Sequence, residues 1–482
     1  MAEQLLKEKV ARGTQWTLGE KIATALLQFV VRILVLRLLM PEDLAVLALL
    51  MAFASLAMVV VDSGFSQMLV RKEDPSGADY RSVFGFHIGS SILIYGLLVA
   101  IAPLLADYYH MAELAEVAAV FFLMIPLNAL CVVQQTILTR RFAFARLSKI
   151  IFAAQLVSGV AAVAAAYGGL GVWALVWQQV LLMGVRALLL WTTGGGLPKG
   201  HPSMGVLAKM APYSLSLVAS DLITALYNKI PQLFLGRMYP ESTLGYYDQA
   251  VKLKELPVQS AMQSVQLVTF PALARIADDR PKFAESFRQV LMVTAFAMFP
   301  VMMGMAAVAE DLFAVLLGVQ WMPTVPLFEV VCLAGLFTPL AMIAYNVLKV
   351  RAQGGLIVQL EVVKKGAMTL FLALAIPHSV EAVVWALVGS AAVECLVNLG
   401  AAMRLSTLSL HRVVRTLLPV AAATALMVTA VAAVRWVMLE PSLVRLLLQM
   451  AVGGVVYLGV AWVCRFEALS EIVNLVKSQL RR

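Results

Sequence analysis

The sequence predicts an all-α integral membrane protein with about fourteen transmembrane helices, arranged as two repeated six-helix bundles followed by two C-terminal helices. The first observation is composition: of 482 residues, 61% are hydrophobic and 13% are charged, and the mean hydropathy is +0.88. A soluble domain could not cover that much apolar surface, whereas a bilayer solvates it. The other two observations are the spacing of apolar windows and an internal repeat. No stretch of about 60 residues lacks an apolar segment, which leaves no room for a separate soluble catalytic domain.

Apolar windows long enough to cross a bilayer, about 20 residues each, recur along the whole chain. The first follows a mixed-charge N-terminus that lacks a small-residue cleavage site, which indicates an uncleaved helix rather than a signal peptide. The predicted helices cover approximately residues 14–39, 44–65, 83–105, 114–137, 147–167, 171–191, 211–236, 245–272, 287–309, 324–348, 357–376, 380–402, 413–434 and 443–463.

The distribution of basic residues predicts the orientation. Of the 37 Lys and Arg residues, 27 lie in even-numbered connections or at the termini, and only four lie in odd-numbered connections. The positive-inside rule therefore places both termini in the cytoplasm, which requires an even number of helices. Because this arrangement accounts for the net charge of +9, the charge does not indicate a nucleic-acid partner.

An internal repeat divides the chain. Three pairs of short matches occur in the same order at offsets of 199 to 212 residues: Pro41-Glu42 with Pro240-Glu241, LTRR ending at Arg141 with LKVR ending at Arg351, and VWALV at 172–176 with 384–388. This indicates a duplicated six-helix unit whose copies share one orientation. We expect an N-terminal lobe at 1–209, a second lobe at 210–410, and two additional helices with a cytoplasmic tail at 411–482.

The candidate site lies on the seventh and eighth predicted helices, between Ala211 and Ala272. Charged side chains at membrane depth cost roughly 2.5 to 3.5 kcal/mol each on insertion scales, so they normally face a watery cavity or a polar substrate. Pro212, Pro231 and Pro257 are expected to kink these two helices. The polar residues of the pair are Asp221, Asn228, Lys229, Asp248, Lys252, Lys254, Glu255, Gln259, Gln263 and Gln266.

The spacing on the eighth helix predicts one polar face. Lys252, Gln259, Gln263 and Gln266 follow one another at steps of seven, four and three residues, which share a side of a helix. Such a stripe suits an anion joined to a hydroxyl-rich body.

The first helix is predicted to add Lys21 and Arg32 to this cavity, and several bases together favour a phosphorylated substrate. The alternative is that acids and bases such as Asp248 and Lys252 only neutralise one another between packed helices.

The remaining chemistry-bearing residues indicate no metal site or cofactor, because the five His and four Cys are scattered without ligand spacing. Glu361 and Lys364 are expected to form an ion pair within one helix. Arg186 is expected to reach its cytoplasmic interface. Five aromatic residues are expected to lie in the interfacial belt: Tyr108, Tyr109, Trp321, Trp436 and Trp462.

In combination, several segments resemble the polysaccharide transporter family, the Wzx-type flippases of lipid-linked oligosaccharides. The superfamily also holds multidrug and toxin extrusion (MATE) proteins and the lipid II flippase. The segments are ARGTQW, LRLLMPEDLAVLAL, DSGFSQMLVRKED, LTRRFAFARLSKI, GGLGVWALVWQQ and the LGYYDQA region. The resemblance implies a V-shaped pair of bundles around a central cavity that opens alternately to the two sides. It also implies that Lys21, Arg32, Lys229, Lys252 and Lys254 line that cavity.

The function expected from these features is flipping of undecaprenyl-pyrophosphate-linked oligosaccharide units across the bacterial inner membrane, for O-antigen, capsule or exopolysaccharide. The expected partners are the lipid-linked substrate, membrane lipids, a glycan polymerase and a coupling ion. A MATE-like drug or metabolite antiporter would require acids to dominate the cavity. Lipid II flipping differs only in substrate. A membrane glycan polymerase or glycosyltransferase would need a larger extramembrane loop, and a multipass scaffold would not need so polar an eighth helix.

Overall fold

The computed structural model describes residues 23–62, 64–352, 354–438 and 440–470, with backbone alone at 216, 260, 261, 263–268, 270–272 and 354. Within these ranges the chain is helical with short connections and contains no β-strand. It divides into two compact units, Met1–Gly245 and Tyr246–Arg482. The lobes expected from the repeat end at residues 209 and 410. They are defined by duplicated sequence and not by packing, so these boundaries stay a prediction.

The first unit contains nine helices within its described part. Helix α9 packs against α2 and α4, which is why it belongs to this unit. The helices are α1 (Ala23–Leu36), α2 (Pro41–Asp62), α3 (Phe65–Arg71), α4 (Gly77–Tyr109), α5 (Ala112–Phe121), α6 (Met124–Arg140), α7 (Phe144–Tyr167), α8 (Val172–Gly194) and α9 (Met204–Met238).

The second unit begins within α10, and its last two helices pack on α11 and on each other. Its helices are α10 (Glu241–Arg275), α11 (Arg280–Ala307), α12 (Ala309–Asp311), α13 (Thr324–Arg351), α14 (Gly354–Ala375), α15 (Val380–Ser406), α16 (Leu410–Val437) and α17 (Leu443–Val463). A π-helical turn at Leu312–Leu317 and a 3₁₀ turn at Val319–Trp321 separate α12 from α13.

This is a multi-pass membrane protein: ten helical segments in the described residues have the length and apolar composition to cross a bilayer, with α5 and α6 counted as one. Four further predicted segments also fall on helices. These are α1, α9, which is bent by 45° at residue 216, and the more polar α10 and α14. The total of fourteen spans and the cytoplasmic location of both termini stay predictions.

The helices run further than the apolar windows predict, because capping groups extend them beyond the apolar core. Helix α4 begins at Gly77 rather than near 83, and Ser76 and Asp79 form a reciprocal capping box at its start. Helix α11 begins at Arg280, and the Asp279 carboxylate accepts a hydrogen bond from the Lys282 backbone N–H. Hydrogen bonding to Lys282 also lowers the pKa of Asp279.

An arginine is the last residue of both α6 and α13, Arg140 in the first and Arg351 in the second. In the first unit, the Arg140 guanidinium donates to the carbonyls of Leu69, Val70, Lys72 and Glu73 at 2.6–2.9 Å. Leu69 and Val70 belong to the last turn of the short helix α3, whose carbonyls lack intrahelical partners, and Lys72 and Glu73 follow it directly. The sequence pattern had predicted only a connection where α3 lies.

In the second unit, the Arg351 guanidinium donates to the carbonyls of Ala277 and Leu405 and lies 4.2 Å from the Phe283 ring centroid. In each unit, therefore, the arginine that ends one helix, α6 or α13, binds backbone carbonyls at the ends of neighbouring helices.

The last two helices are attached to the second unit by a buried ion-pair network. Arg445 of α17 is 1% exposed, and its Nε lies 2.8 Å from both carboxylate oxygens of the fully buried Asp311. Its Nη2 is 3.2 Å from Glu310, which also pairs with Arg435 of α16 at 2.5 Å. Because both buried charges have several partners, the network satisfies groups that would otherwise be very costly to bury.

Three minor expectations meet different outcomes. Glu361 and Lys364 form the predicted pair, at 2.6 Å. Two of the five expected belt aromatics are instead buried: Trp321 is 0% exposed and packs edge-on against Tyr246, and Tyr109 is 7% exposed. Local aromatic position could not reveal this, because it depends on packing from distant helices. Pro212 was expected to kink α9, and the helix is bent at residue 216, four residues after it. The hydrogen bond that a proline removes lies on its N-terminal side, so the missing bond of Pro212 does not explain a bend at this position.

Candidate functional site

Helix α10 carries polar groups along a 35-residue helix. Asp248, Lys252, Glu255 and Gln259 lie at steps of four, three and four residues, so they share one face. Lys252 Nζ is 2.6 Å from Asp248 Oδ2, and the Asp248 side chain is fully buried while that of Lys252 is 27% exposed. The pair therefore compensates a buried carboxylate and still leaves part of the ammonium accessible.

The same face continues with an acid and an amide. Gln259 Nε2 donates to Glu255 Oε2 at 3.3 Å, and Gln259 is exposed. Lys254 is partly buried on a neighbouring face, within electrostatic range of Glu255 and of the Cys332 thiol on α13. The side chains of Gln263 and Gln266 lie outside the described part of the structure.

The opposite side of α10 is apolar and anchors it. Tyr247, Ala250, Leu253 and Val258 are each at most 4% exposed. Val258 joins a buried cluster with Met298 and Met302 of α11. Helix α10 is thus amphipathic at membrane depth, which is the arrangement expected where one side of a helix faces polar contents.

Helix α9 presents a second polar face, in the first unit. Asp221, Thr224 and Asn228 are all exposed and lie at steps of three and four residues. The Thr224 hydroxyl donates to the Ser220 carbonyl of the same helix at 2.9 Å. The exposed polar groups of this face are therefore the Asp221 carboxylate and the Asn228 amide. Lys229 is partly buried and has an interaction of its own.

The residues predicted on the first helix are only partly described. Lys21 lies outside the described residues, and Arg32 is partly buried and engaged in an interaction. Near them in sequence, Gln28 Nε2 donates to Gln155 Oε1 of α7 at 3.1 Å. Helices α1 and α7 approach closely at Gly159, where a Cβ would stand 2.8 Å from Val31 Cγ2.

A basic cavity in the first unit escaped the sequence reasoning. It measures about 560 Å³ and is lined by Arg71, Lys72, Lys209 and Tyr213 among others. Arg71 lies 5.4 Å from the Tyr213 ring centroid, and Lys72 pairs with Asp79 at 2.6 Å. The bases were visible in the sequence but were interpreted only as orientation signals. Their convergence depends on α3, which the apolar windows did not predict.

The fold also gives Arg186 a partner that the sequence did not reveal. Arg186 Nη2 donates to Gln135 Oε1 of α6 at 2.5 Å, within the first unit, and its reach to the cytoplasmic interface stays a prediction. It also lies within electrostatic range of Asp62. The sequence contained no signal for this pairing, because the two residues are 51 positions apart and share no motif.

Comparison with known proteins identifies relatives over most of the chain. A family described as polysaccharide biosynthesis protein matches residues 34–326. The teichuronic acid biosynthesis protein TuaB of Bacillus subtilis is 24% identical over 69% of each chain. The succinoglycan biosynthesis transport protein ExoT of Rhizobium meliloti is 25% identical over 68% of this chain and 67% of its own.

The fold also has a solved counterpart. The lipid II flippase MurJ in an inward closed conformation superposes with a TM-score of 0.71 at 14% identity, over 94% of this chain and 98% of that one. This likeness shows the fold alone. The family match covers more than half of the sequence and confirms the resemblance inferred from the motifs. The chain belongs to the polysaccharide biosynthesis protein family.

Proposed function

We propose that this protein flips undecaprenyl-pyrophosphate-linked oligosaccharide repeat units from the cytoplasmic to the periplasmic leaflet of a bacterial inner membrane. It does so by alternating access and serves O-antigen, capsule or exopolysaccharide synthesis. The observation that carries the proposal is the polar face of α10 among long helices that are mostly apolar. A membrane protein retains such a face where polar cargo passes.

The composition of the polar faces supports a glycan attached to an anion. Lys252 and Lys254 provide positive charge on α10, and the bases Arg32 and Lys229 lie on α1 and α9. The amides Asn228 and Gln259 are exposed and can both donate to and accept from sugar hydroxyls. The polyprenyl tail needs no polar partner and stays in lipid.

The family relatives support cargo of this class. One has a name stating transport in succinoglycan biosynthesis, and another has a name stating teichuronic acid biosynthesis. We extend the same role to this chain. MurJ shares the fold, so lipid II is the nearest alternative cargo.

Catalysis is the alternative from another class, and the described loops give it little support. The longest described connection without helical structure is residues 195–203, which is too short to form a soluble catalytic face. We therefore assign the protein a transport role, with a glycan polymerase and a coupling ion as further partners.

The direct test uses cells that lack this protein. Polyprenyl-linked glycans are extracted after intact spheroplasts have been treated with a membrane-impermeant glycan-modifying reagent. We expect a pyrophosphate-linked repeat unit to accumulate and to be protected from the reagent. Units that appear outside but unpolymerised would support the enzyme instead. Unchanged lipid-linked glycans together with a retained small molecule would support an antiporter.

A charge exchange on α10 separates substrate contact from simple neutralisation. Lys252→Glu places two carboxylates side by side, and we expect glycan export to fall at least tenfold at normal protein level. The double variant Asp248→Lys/Lys252→Asp restores an ion pair but moves the ammonium by one turn. We expect it to recover stability without recovering export. Full recovery of export by the exchanged pair would show that the two groups only neutralise each other.

A further inference from the structure

A cavity of about 820 Å³ lies within the second unit, away from the polar face of α10. It is formed by α11, α16, the end of α17 and the residues that follow α17. Four arginines line it: Arg288, Arg412, Arg415 and Arg465. We call it the α16 cavity, after the helix that contributes most of its lining.

The α16 cavity has an excess of positive charge. Arg288 is neutralised, since its Nη2 lies 2.6 Å from Glu285 and 2.9 Å from Glu467. Glu285 also lies within electrostatic range of Arg412. In the described part of the chain, no acid forms an ion pair with Arg412, Arg415 or Arg465, all of which are exposed. The four bases and two acids leave two positive charges unmatched.

Polarity changes along the cavity in one direction. The first two turns of α16 supply Arg412, Arg415 and Thr416, and the next turns supply only apolar groups, from Pro419 to Leu426. The lining on α16 runs over 15 residues, from Arg412 to Leu426, whose ends are about 21 Å apart along the helix. A free anion would use only the basic end of so long a groove. A molecule with an anionic head and a hydrocarbon tail would use its whole length.

The position of Arg465 supports a role for its charge. The backbone N–H groups of Arg465 and Phe466 donate to the carbonyls of Trp462 and Ala461 at 3.1 and 2.9 Å. This pattern ends α17 with a residue in the left-handed conformation, at φ 50° for Arg465. Glycine is usual there, because a side chain at this position is strained. The arginine is held at the cavity mouth in spite of that strain.

We propose that the α16 cavity binds one anionic phospholipid of the surrounding membrane, such as phosphatidylglycerol. Its phosphate lies among Arg412, Arg415 and Arg465, and an acyl chain lies along the apolar turns of α16. The connections that carry these arginines are predicted to be cytoplasmic, where basic pockets between helices meet anionic headgroups. The site holds a resident lipid and does not depend on which cargo the protein moves.

One rival occupant is the chain's own C-terminal segment, residues 471–482, which follows the cavity directly in sequence. That segment contains one acid, Glu471, and three bases, Lys477, Arg481 and Arg482. Its charge has the same sign as that of the cavity, so it does not complement it. An anionic lipid does.

The test titrates the purified full-length protein with phosphatidylglycerol and with phosphatidylcholine of the same acyl chains, and native mass spectrometry counts the bound lipid. We expect at least tenfold tighter binding of phosphatidylglycerol. Arg412→Ala and Arg415→Ala should each weaken it about fivefold, as expected for one base near an anionic headgroup. The matched control is Arg404→Ala, an exposed arginine at the end of α15 outside the cavity, which should leave binding unchanged.

Two further variants test the apolar groove and the strained arginine. Ala422→Phe fills the apolar part of the cavity and should weaken phosphatidylglycerol binding. It leaves the arginines in place, so the extent to which inorganic phosphate competes for them should not change. Arg465→Gly relieves the left-handed strain, so it should raise the Tm of the lipid-free protein while weakening lipid binding.

Three outcomes would overturn the proposal. An equal loss with Arg404→Ala would mean diffuse surface attraction, and complete displacement by millimolar inorganic phosphate would mean a free-anion site. Binding that appears only when the chain is ended at residue 470 would mean that the tail is the occupant.

Discussion

Helices α2 and α10 begin at matching Pro-Glu turns in the two halves of the sequence, yet they are built for opposite environments. Between its first turn and Asp62 at its end, helix α2 is apolar except for Ser55, and Ala45, Leu49, Leu50 and Ala52 are all 0% exposed. Helix α10 exposes Gln259 and buries an aspartate beside a lysine. The same turn thus introduces a packing helix in one unit and a polar helix in the other.

The difference shows how a duplicated scaffold can divide its tasks. Between helices in lipid, association depends on close van der Waals packing, which small residues such as Ala45, Ala48 and Ala52 permit. Helix α2 follows this rule throughout its length. Helix α10 gives up part of that packing to its polar face, and the second unit adds buried ion pairs elsewhere. The comparison predicts where each unit is most sensitive to substitution.

The largest expected effect comes from the buried ion-pair network of Asp311 and Arg445 in the second unit. Arg445→Met leaves the fully buried Asp311 without its guanidinium partner. We expect a loss of about 3 to 5 kcal/mol in the free energy of unfolding, because an uncompensated buried charge remains. Denaturant unfolding of the detergent-purified protein measures it.

Two controls sharpen this measurement. Arg435→Met removes a partner of Glu310 that is 28% exposed, and should cost no more than about 1 kcal/mol. The double variant Asp311→Leu/Arg445→Met removes both buried charges and should recover most of the loss. If the two single variants were equally destabilised, the buried pair would not be what fastens α17.

The second effect contrasts α2 and α10 at matched positions. Ala52 and Val251 are related by the repeat offset, 251 − 52 = 199. Ala52→Lys places an ammonium in a fully buried apolar site and should cost roughly 2.5 to 3.5 kcal/mol. We expect its level in the membrane to fall sharply.

Val251→Lys should be tolerated, because Asp248 and Glu255 lie three and four residues away on the same helix. Quantitative immunoblotting of membrane fractions compares the two. Equal losses would mean that α10 is no more polar in its surroundings than α2, and the proposed cavity face would have to lie elsewhere.

The features that depend on local periodicity could be predicted from the sequence. Apolar windows located the long helices, four-residue spacing gave the Asp248–Lys252 pair, and three-residue spacing gave Glu361–Lys364. It could not supply contacts between distant segments, such as Asp311 with Arg445, which are 134 residues apart. Convergence of four arginines around the α16 cavity was hidden for the same reason, since each was explained separately by membrane orientation.

Helix ends form an intermediate case. The capping box at Ser76 and Asp79 was present in the sequence, but apolar windows do not register polar caps. The carbonyl contacts of Arg140 required knowledge of α3, a helix of seven residues with no span-length apolar signal. The polar face of α10 and its Asp248–Lys252 pair were therefore predictable, whereas the basic cavity at Arg71, Lys72 and Lys209 needed the tertiary structure.

The smallest of the three effects concerns the point at which the two matching turns meet. A Cβ added to Gly245, in the second turn of α10, would overlap the carbonyl oxygen of Pro41 at the start of α2. That atom belongs to the backbone and cannot rotate away. We expect Gly245→Ala to cost about 1 to 3 kcal/mol, the usual penalty for overpacking, even though alanine is the better helix former.

Gly366→Ala in α14 is the matched control, since nothing lies within 4 Å of its added Cβ, and it should stabilise by up to ~1 kcal/mol. The Tm of each variant is compared with that of the unmodified protein in one detergent. If the close approach is real, Gly245→Ala lowers the Tm and Gly366→Ala raises it. A Gly245→Ala variant as stable as Gly366→Ala would mean that the turns are held apart, and that the shared Pro-Glu turn reflects sequence ancestry without a packing constraint.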